Sequence, residues 1–539
     1  VPPRRRTLGD LLDETARARP AADAVIFRGQ GLTYAELQAR ADDLARALLA
    51  AGVRKGDRVA LLLPNRPEWL VAAFAGARLG AVTVGVSTFS VPREIAWTLE
   101  HCRPAAIVTM EAFRGRSYLE PLHALCPELA TAAPGTLRSE RLPELRAVVS
   151  VDERRHDGVY RLDELVERAS EVHGDALRAA QAAVTPADPC FILYTSGSTA
   201  TPKGVVLAHG SVIENGFGIG ERMRLTEADR VWLSVPLFWS FGSANALPAM
   251  LTHGGSLVLQ ESFEPGEALA LLDEQRCTVY YGMANMARAI LEHPDRRRRA
   301  LAAMRTGLTI GLPEDIQMTI EAVAARELCN VYGSTETYGN CAVTDAHDDL
   351  ALRLETQGRP LPGMTLRVVD RETGRTLPPG EVGELRVKGH VTPGYYNDAE
   401  QTRAAFDADG WFVTGDLGLI GDDGRVRFRG RLKEMIKTAG MNVAPLEVEA
   451  VLLGHAAVKQ AYVVGVPDRA RGELVVAAVE LHDGAPASAE ALAAFCRERL
   501  AGYKVPVRFA FRKADEFPRT PTGKVQKPRL RDELAQPPR

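Results

Sequence analysis

The sequence has no CxxC pair, no long apolar run and no strong excess of either charge. Its seven cysteines, at 102, 126, 190, 277, 329, 341 and 496, are scattered over 539 residues. That spacing excludes a zinc ribbon and a disulfide framework and suits a reducing cytoplasm. A formal net charge of -3 removes a strong electrostatic case for nucleic acid. The arginine clusters at 4–6 and 296–299 are not interleaved with aromatics and read as solvated faces. Behind the basic N-terminal residues stands TLGDLLDETARARP, an amphipathic helix pattern rather than an apolar stretch. Neither a signal peptide nor a membrane span is therefore expected. What is present, 46% hydrophobic and 25% charged residues, describes a soluble globular chain long enough for at least two domains.

The apolar pattern alternates between two periods. Thr33 and Glu36 fit a capping box, Leu37, Ala41, Leu44 and Leu48 recur at helical spacing, and Gly52 closes the helix before the apolar run RVALLL. The helix pattern WLVAAFAGARLG and the strand AVTVGV repeat the unit, and AAIVTM and LRAVVSV add strands around an excursion rich in Arg and Pro. Helices alternating with apolar strands indicate α/β layers on a largely parallel sheet. The run of Gly216, Gly218 and Gly220 is not a dinucleotide fingerprint, because its spacing is not GxGxxG and no strand leads directly into it. From Pro360 onward TLRVVD, GEVGELRVKG, GWFVTGDLGLI and GRVRFRG read as a β-rich subdomain. Residues 431–539 read as a small α+β unit.

The chemistry concentrates at FILYTSGSTATPKGVV, residues 191–206. A buried strand end is followed at once by hydroxyls, a glycine and a lysine, which together suit an anion: several backbone donors converge while Gly197 lets the chain approach closely. It is not the GxxxxGK[ST] loop, since Lys203 lies six residues past Gly197. A second turn, NVYGSTET, carries Glu336, a natural ligand for the magnesium that accompanies ATP, and Tyr332, whose ring could lie on a purine. Asp416 in TGD either caps its own turn or accepts from ribose hydroxyls. For Phe238, Trp239 and Phe241, core packing and a pocket wall fit equally. Lys524 in PRTPTGKVQK is a solubilising charge unless its context says otherwise.

Five blocks supply that context: YTSGSTATPKG at 194–204, YGSTET at 332–337, GWFVTGD at 410–416, GRLKEMIKTAGMNVAPLEVE at 430–449 and PRTPTGKVQK at 518–527. In order and nearly over the whole chain, they resemble the adenylate-forming superfamily of acyl-CoA synthetases, amino-acid adenylation domains and luciferases. The resemblance implies a large N-terminal domain of layered α/β subdomains and a β-rich subdomain over 1–430, a hinge at 431–434 centred on Lys433, and a small mobile α+β domain over 435–539. It implies that Thr195, Ser196, Gly197, Ser198, Thr199 and Lys203 hold the ATP phosphates and that Glu336 holds Mg²⁺. Tyr332, with Gly311, Leu312 and Pro313, would bracket adenine, Gly333, Ser334 and Thr335 would also bind the nucleotide, and Asp416 and Arg431 would take the ribose. Lys524 would bridge the carboxylate and the α-phosphate in a first half-reaction. After domain alternation, Lys437, Gly440 and Met441 would line the route of CoA in a second. Phe238, Trp239, Gly242, Tyr281, Met283, Thr337, Tyr338 and Gly339 would shape the acyl pocket.

The activity so implied is an AMP-forming acid–thiol ligase that makes an acyl-CoA from a hydrophobic carboxylic acid. The alternative thiol is the phosphopantetheine of a carrier protein, and the absence of a carrier domain after Arg539 favours CoA. A luciferase-type oxygenase and a non-catalytic sensor are the readings from other classes. An oligomer is left open. No acid stands near Phe238 to grip an amine, which argues against amino acids and leaves aromatic, alicyclic, terpenoid and medium-chain acids. Two positions depart from the family pattern: Ala200 replaces a loop glycine, and Trp239 stands where many relatives have histidine.

Overall fold

Thr33 opens the helix Tyr34–Ala50 with the expected capping box, its hydroxyl accepting from the Glu36 N–H while the Glu36 carboxylate reaches back to the Thr33 N–H. The computed structural model in which this is seen describes residues 6–195, 202–438, 441–469, 471–500, 502–520 and 523–536. The chain divides into two compact units. The first comprises residues 1–311, 315–365 and 387–412, and the second 312–314, 366–386 and 413–539.

Among the described residues the first unit holds two large sheets rather than one. The seven-stranded sheet runs, in spatial order, Lys203–Ala208, Pro189–Thr195, Val82–Gly85, Arg58–Leu61, Ala106–Thr109, Ala147–Ser150 and Tyr160–Arg161. Its strands are parallel except for the hairpin of Pro189–Thr195 with Lys203–Ala208. The nine-stranded sheet is parallel from Glu327–Tyr332 across Thr306–Thr309, Val279–Tyr281, Arg230–Leu233 and Ser256–Leu259 to Asp23–Phe27, with antiparallel strands at both edges. The central strands are buried, as the short apolar runs require when helices cover a parallel sheet. Asn65 ties the two sheets together: its amide donates to Val235 O at 3.0 Å, and its Oδ1 accepts from the Leu237 N–H at 2.8 Å.

The glycine run at 216–220 has a packing explanation. It lies in the helix His209–Arg222, which runs against the helix Leu247–His253. A Cβ at Gly216 would come within 2.6 Å of Pro248 Cβ, and one at Gly220 within 2.3 Å of the His253 ring. Small residues permit that close approach.

The second unit contains a four-stranded sheet of Met364–Val369, Gly383–Gly389, Phe412–Ile420 and Val426–Arg431, whose central residues fall in this unit. A further sheet is built on the long antiparallel pair Val458–Asp468 and Gly472–Leu481. Its two faces carry separate apolar clusters, one under the helices Pro445–Leu453 and Ala489–Arg497, the other under Lys527–Ala535. The unit division thus groups residues 366–386 and 413–430 with the C-terminal residues, whereas the sequence reading keeps the chain to residue 430 in the N-terminal domain. The strand Val426–Arg431 completes the four-stranded sheet and passes directly into the turn Leu432–Glu434.

Candidate active site

In the first unit the polar loops follow the carboxyl ends of parallel strands, the edge at which open α/β sheets bind ligands. The Pro189–Thr195 hairpin pairs Thr195 with Lys203, so the two ends of the Ser/Thr/Gly loop stand side by side. Ser196, Gly197, Ser198 and Thr199, with Ala200, lie outside the described residues. The Lys203 ammonium is 4.8 Å from the centroid of the Tyr395 ring, and the Tyr395 hydroxyl donates to Glu336 Oε1 at 3.0 Å. Main-chain bonds brace this arrangement. Tyr396 N–H donates to Gly204 O at 2.7 Å, Val206 N–H to Gly394 O at 3.1 Å, and Thr392 N–H to Glu336 O at 2.7 Å. Cation, phenol and carboxylate therefore form one continuous chain of contacts. Burial, and then the Glu336 charge, push the Tyr395 phenol above its usual range, so it stays protonated and remains a donor.

Glu336 sits in the short turn Thr335–Thr337 that follows the strand Glu327–Tyr332. Tyr332 is buried at the end of that strand, and its carbonyl accepts from the Cys341 N–H. Gly333 is required by space, since a Cβ there would meet Gly339 O at 2.5 Å. Ser334 accepts through its carbonyl from the Thr337 hydroxyl, and the Thr335 and Ser240 hydroxyls are 3.1 Å apart. Tyr338 is fully buried at φ 58°; its hydroxyl accepts from the Ala208 N–H, and its carbonyl accepts from the Asn215 and Asn245 amides. Gly339, at φ 91°, uses the freedom of glycine against the Asn245 side chain.

The aromatic residues pack as a group. Phe238 is buried, edge-on to Phe89 and to Trp239 at 5.6 Å each, and Trp239 also faces Phe89 at 5.9 Å. The Phe241 ring lies 4.6 Å from Tyr281, which is itself buried. Gly242 falls in a π-helical turn, Phe241–Ala246, where a Cβ would meet Pro236 O at 2.4 Å. Such turns concentrate at functional sites. Met283 precedes the helix Ala284–Glu292. Gly311 follows the strand Thr306–Thr309, and Pro313 opens the helix Pro313–Val323 just beyond Leu312.

In the second unit, Asp416 and Arg431 stand directly opposite each other across an antiparallel pair, with Arg431 Nε 3.3 Å from a buried Asp416 oxygen. Lys433 belongs to the turn Leu432–Glu434. Lys437 is exposed, and its N–H donates to Glu473. Gly440 lies outside the described residues, and Met441 is exposed. Lys524 keeps exposed surface along its side chain, yet crowding of its ammonium and then the Arg431 guanidinium lower its pKa, opposed by Glu434 and Asp416.

The donor set fits a hard, hydrated dication. Among the described residues no three His, Cys, Asp or Glu side chains converge as a metal site. Glu336 stands alone, its Oε1 engaged by Tyr395. Mg²⁺ that keeps its waters and takes phosphate oxygens needs only one or two carboxylates.

Comparison with known proteins turns this geometry into a family. Residues 12–396 match the model for AMP-binding enzyme, and residues 447–524 that for the AMP-binding enzyme C-terminal domain. The chain belongs to the AMP-binding enzyme family. Among its relatives is YngI of Bacillus subtilis (strain 168), provisionally named an acyl-CoA synthetase, 37% identical and aligned over 98% of this chain and 96% of that one. The human medium-chain acyl-CoA ligase ACSF2, mitochondrial, is 33% identical, over 98% and 88%. The crystal structure of ATP-bound MatB from Rhodopseudomonas palustris superimposes with a TM-score of 0.83 at 28% identity, covering 98% of this chain and 99% of that one. The mixed α/β fold with a separate small C-terminal part is the fold of the adenylate-forming superfamily.

Within this AMP-binding enzyme the structure brings together Lys203 and Glu336 in one unit and Asp416 and Arg431 in the other. Tyr395, which links the first pair, is absent from the sequence reading. It lies in GYYN, an uncharged turn, and its partner Glu336 is 59 residues away. The only local signal is an aromatic doublet after Pro393 and Gly394.

Proposed function

We propose that this enzyme activates a hydrophobic carboxylic acid with ATP and transfers the acyl group to CoA. The observation that carries the reading is the Lys203–Tyr395–Glu336 chain: a fixed cation and a fixed carboxylate, suited to a polyphosphate and its cation. A carboxylate is a poor electrophile, so it first attacks the α-phosphorus of ATP. The bond to the β-phosphate breaks, and acyl-AMP and pyrophosphate form. Thr195, Ser196, Gly197, Ser198, Thr199 and Lys203 bind the departing phosphates, and Asp416 with Arg431 holds the ribose. Tyr332, with Gly311, Leu312 and Pro313, frames the adenine, and Gly333, Ser334 and Thr335 contribute to nucleotide binding. Glu336 would hold Mg²⁺, which when bound would neutralise charge on the phosphates. Lys524 places its ammonium where charge develops between the carboxylate and the α-phosphate, a preorganised contribution.

The CoA sulfur then attacks the acyl carbonyl, its proton is lost, and AMP leaves. Lys437, Gly440 and Met441 guide CoA, and Lys433 is the hinge between a domain ending near residue 430 and a mobile one beginning near 435. The names of the near full-length relatives favour CoA over a carrier protein. The acid meets Phe238, Trp239, Gly242, Tyr281, Met283, Thr337, Tyr338 and Gly339. All seven cysteines are buried and none is in a disulfide, which supports a reducing compartment such as the cytoplasm. Among the described residues no helix is long and apolar enough to cross a membrane. Pyrophosphate exchange into ATP, screened over aromatic, alicyclic, terpenoid and medium-chain acids, tests the reading. Exchange with a hydrophobic acid is expected, and exchange with none of them would overturn it.

A further inference from the structure

A buried cation that the chemistry above does not use stands three residues after Lys524. Lys527 opens the helix Lys527–Ala535, beneath which Val525, Leu530 and Leu534 join Val464, Val466, Val476 and Phe517 in an apolar cluster. A lysine placed there is costly unless it is paired. Its ammonium lies 2.8 Å from Glu449 Oε1 and 3.2 Å from Glu434 Oε2, and only 14% of its side chain is exposed. Glu449 is almost fully buried in the helix Pro445–Leu453, and the same Oε1 accepts from the Val463 N–H at 2.7 Å. Glu434 ends the turn Leu432–Glu434. One ammonium thus joins three pieces of the second unit: the helix that follows Lys524, the body of the C-terminal sheet, and the turn that carries Lys433.

The segment bearing Lys524 is built to transmit such a constraint. Residues 518–520 and 523–526 lie against each other, with Gln526 N–H donating to Pro518 O and Thr520 N–H to Lys524 O, both at 2.7 Å. The Thr520 hydroxyl accepts from the Lys524 N–H. Arg519 closes the far side, donating to Gly523 O and to Gln460 Oε1 at 2.8 Å each. The arm is therefore braced at Gln460 on one side and at Lys527 on the other, with Lys524 between.

We propose that Lys527 is a positioning residue, which holds the Lys524 arm in register with the Leu432–Glu434 turn through its ion pairs with Glu434 and Glu449. The proposal rests on the reading that Lys524 serves acyl-adenylate formation. A displacement of the arm then impairs that step alone, because thioester formation from ready-made acyl-AMP does not use Lys524. Burial opposes the charge on Lys527, but the two carboxylates, Glu449 first, raise its pKa, so the anchor is charged at neutral pH.

The test separates the two half-reactions in the full-length enzyme. Acyl-AMP formation is read as pyrophosphate release, and thioester formation is read from chemically prepared acyl-AMP and CoA. Lys527→Met and the milder Glu434→Gln are expected to slow the first by on the order of tenfold to a hundredfold, the cost of a misplaced group. The second should fall less than about threefold, and Lys527→Arg, which keeps both ion pairs, should restore the first. If Lys527→Met does not fold, Glu434→Gln alone decides. Equal loss in both half-reactions, or no loss in either, would overturn the proposal. Lys524→Ala, run in parallel, isolates the underlying reading: if it leaves acyl-AMP formation intact, that reading fails, and the positioning role with it.

Discussion

Replacing Tyr395 by Phe removes one oxygen atom from the chain that joins Lys203 to Glu336. The ring that faces the Lys203 ammonium stays; the bond to Glu336 Oε1 at 3.0 Å is lost. A hydrogen bond to a charged acceptor contributes about 1.5–3 kcal/mol, and because Tyr395 is only half-buried the lower end applies, about 1.5 kcal/mol or roughly tenfold. The loss should appear where Glu336 acts. We expect the Mg²⁺ concentration for half-maximal pyrophosphate exchange to rise about tenfold, with the KM for the acid unchanged. Tyr395→Leu removes the ring as well, and the lost cation–π contact, about 0.5–1 kcal/mol, should add a further roughly threefold in the KM for ATP. The assay is exchange measured across a Mg²⁺ titration at fixed ATP. The reasoning fails if Tyr395→Phe leaves the Mg²⁺ dependence at the wild-type value, or if the Phe and Leu variants are indistinguishable.

Other expectations concern stability and pH. His209 is buried and accepts the Leu8 N–H at Nδ1, and burial lowers its pKa from 6.5 to about 4. The unfolded chain therefore takes up this proton first: the contribution is complete above pH 6.5 and declines as pH falls toward 4, by about 3 kcal/mol in total. Urea midpoints should fall over that range, and a His209→Gln variant should show a flatter profile; equal slopes would refute the assignment. A Cβ at Gly216 meets Pro248, so Gly216→Ala should destabilise by about 1–3 kcal/mol, seen as a lower thermal midpoint. An unchanged midpoint would remove the packing account of the glycine run. Lys524→Ala should cut acyl-AMP formation by on the order of a hundredfold or more. Because crowding and Arg431 lower the Lys524 pKa, the alkaline fall of that half-reaction should come below the ordinary lysine value of 10.5. A fall at or above that value would contradict it.

The elements most legible in the sequence are those whose signals are local. The Thr33 capping box, the strand of RVALLL at Arg58–Leu61 and the left-handed Gly80 that ends Pro67–Leu79 each need only a few neighbouring residues to be read. The separation into two sheets was not legible, because buried parallel strands look alike whichever sheet they join, and Asn65, which ties the two, is an ordinary loop residue in one dimension. The family resemblance points to Asp416 and Arg431 separately, yet only the register of Phe412–Ile420 on Val426–Arg431 sets them face to face. Tyr395 and Lys527 escaped for a shared reason. Each contacts partners distant in sequence, and neither residue type in its own turn or helix announces a partner. Gly216 and Gly220 illustrate the converse: a conspicuous pattern whose cause is a neighbouring helix rather than a ligand.

The central claim is that one chain couples ATP cleavage to AMP with thioester formation on CoA. Its most direct test is a balance of products: the full-length enzyme with ATP, Mg²⁺, CoA and an acid that supports exchange, with AMP, ADP and acyl-CoA quantified in the same sample. The account predicts AMP and acyl-CoA in equal amounts, no ADP, and loss of both products in Lys524→Ala. Formation of ADP in place of AMP, or of AMP without any acyl-CoA, would contradict it.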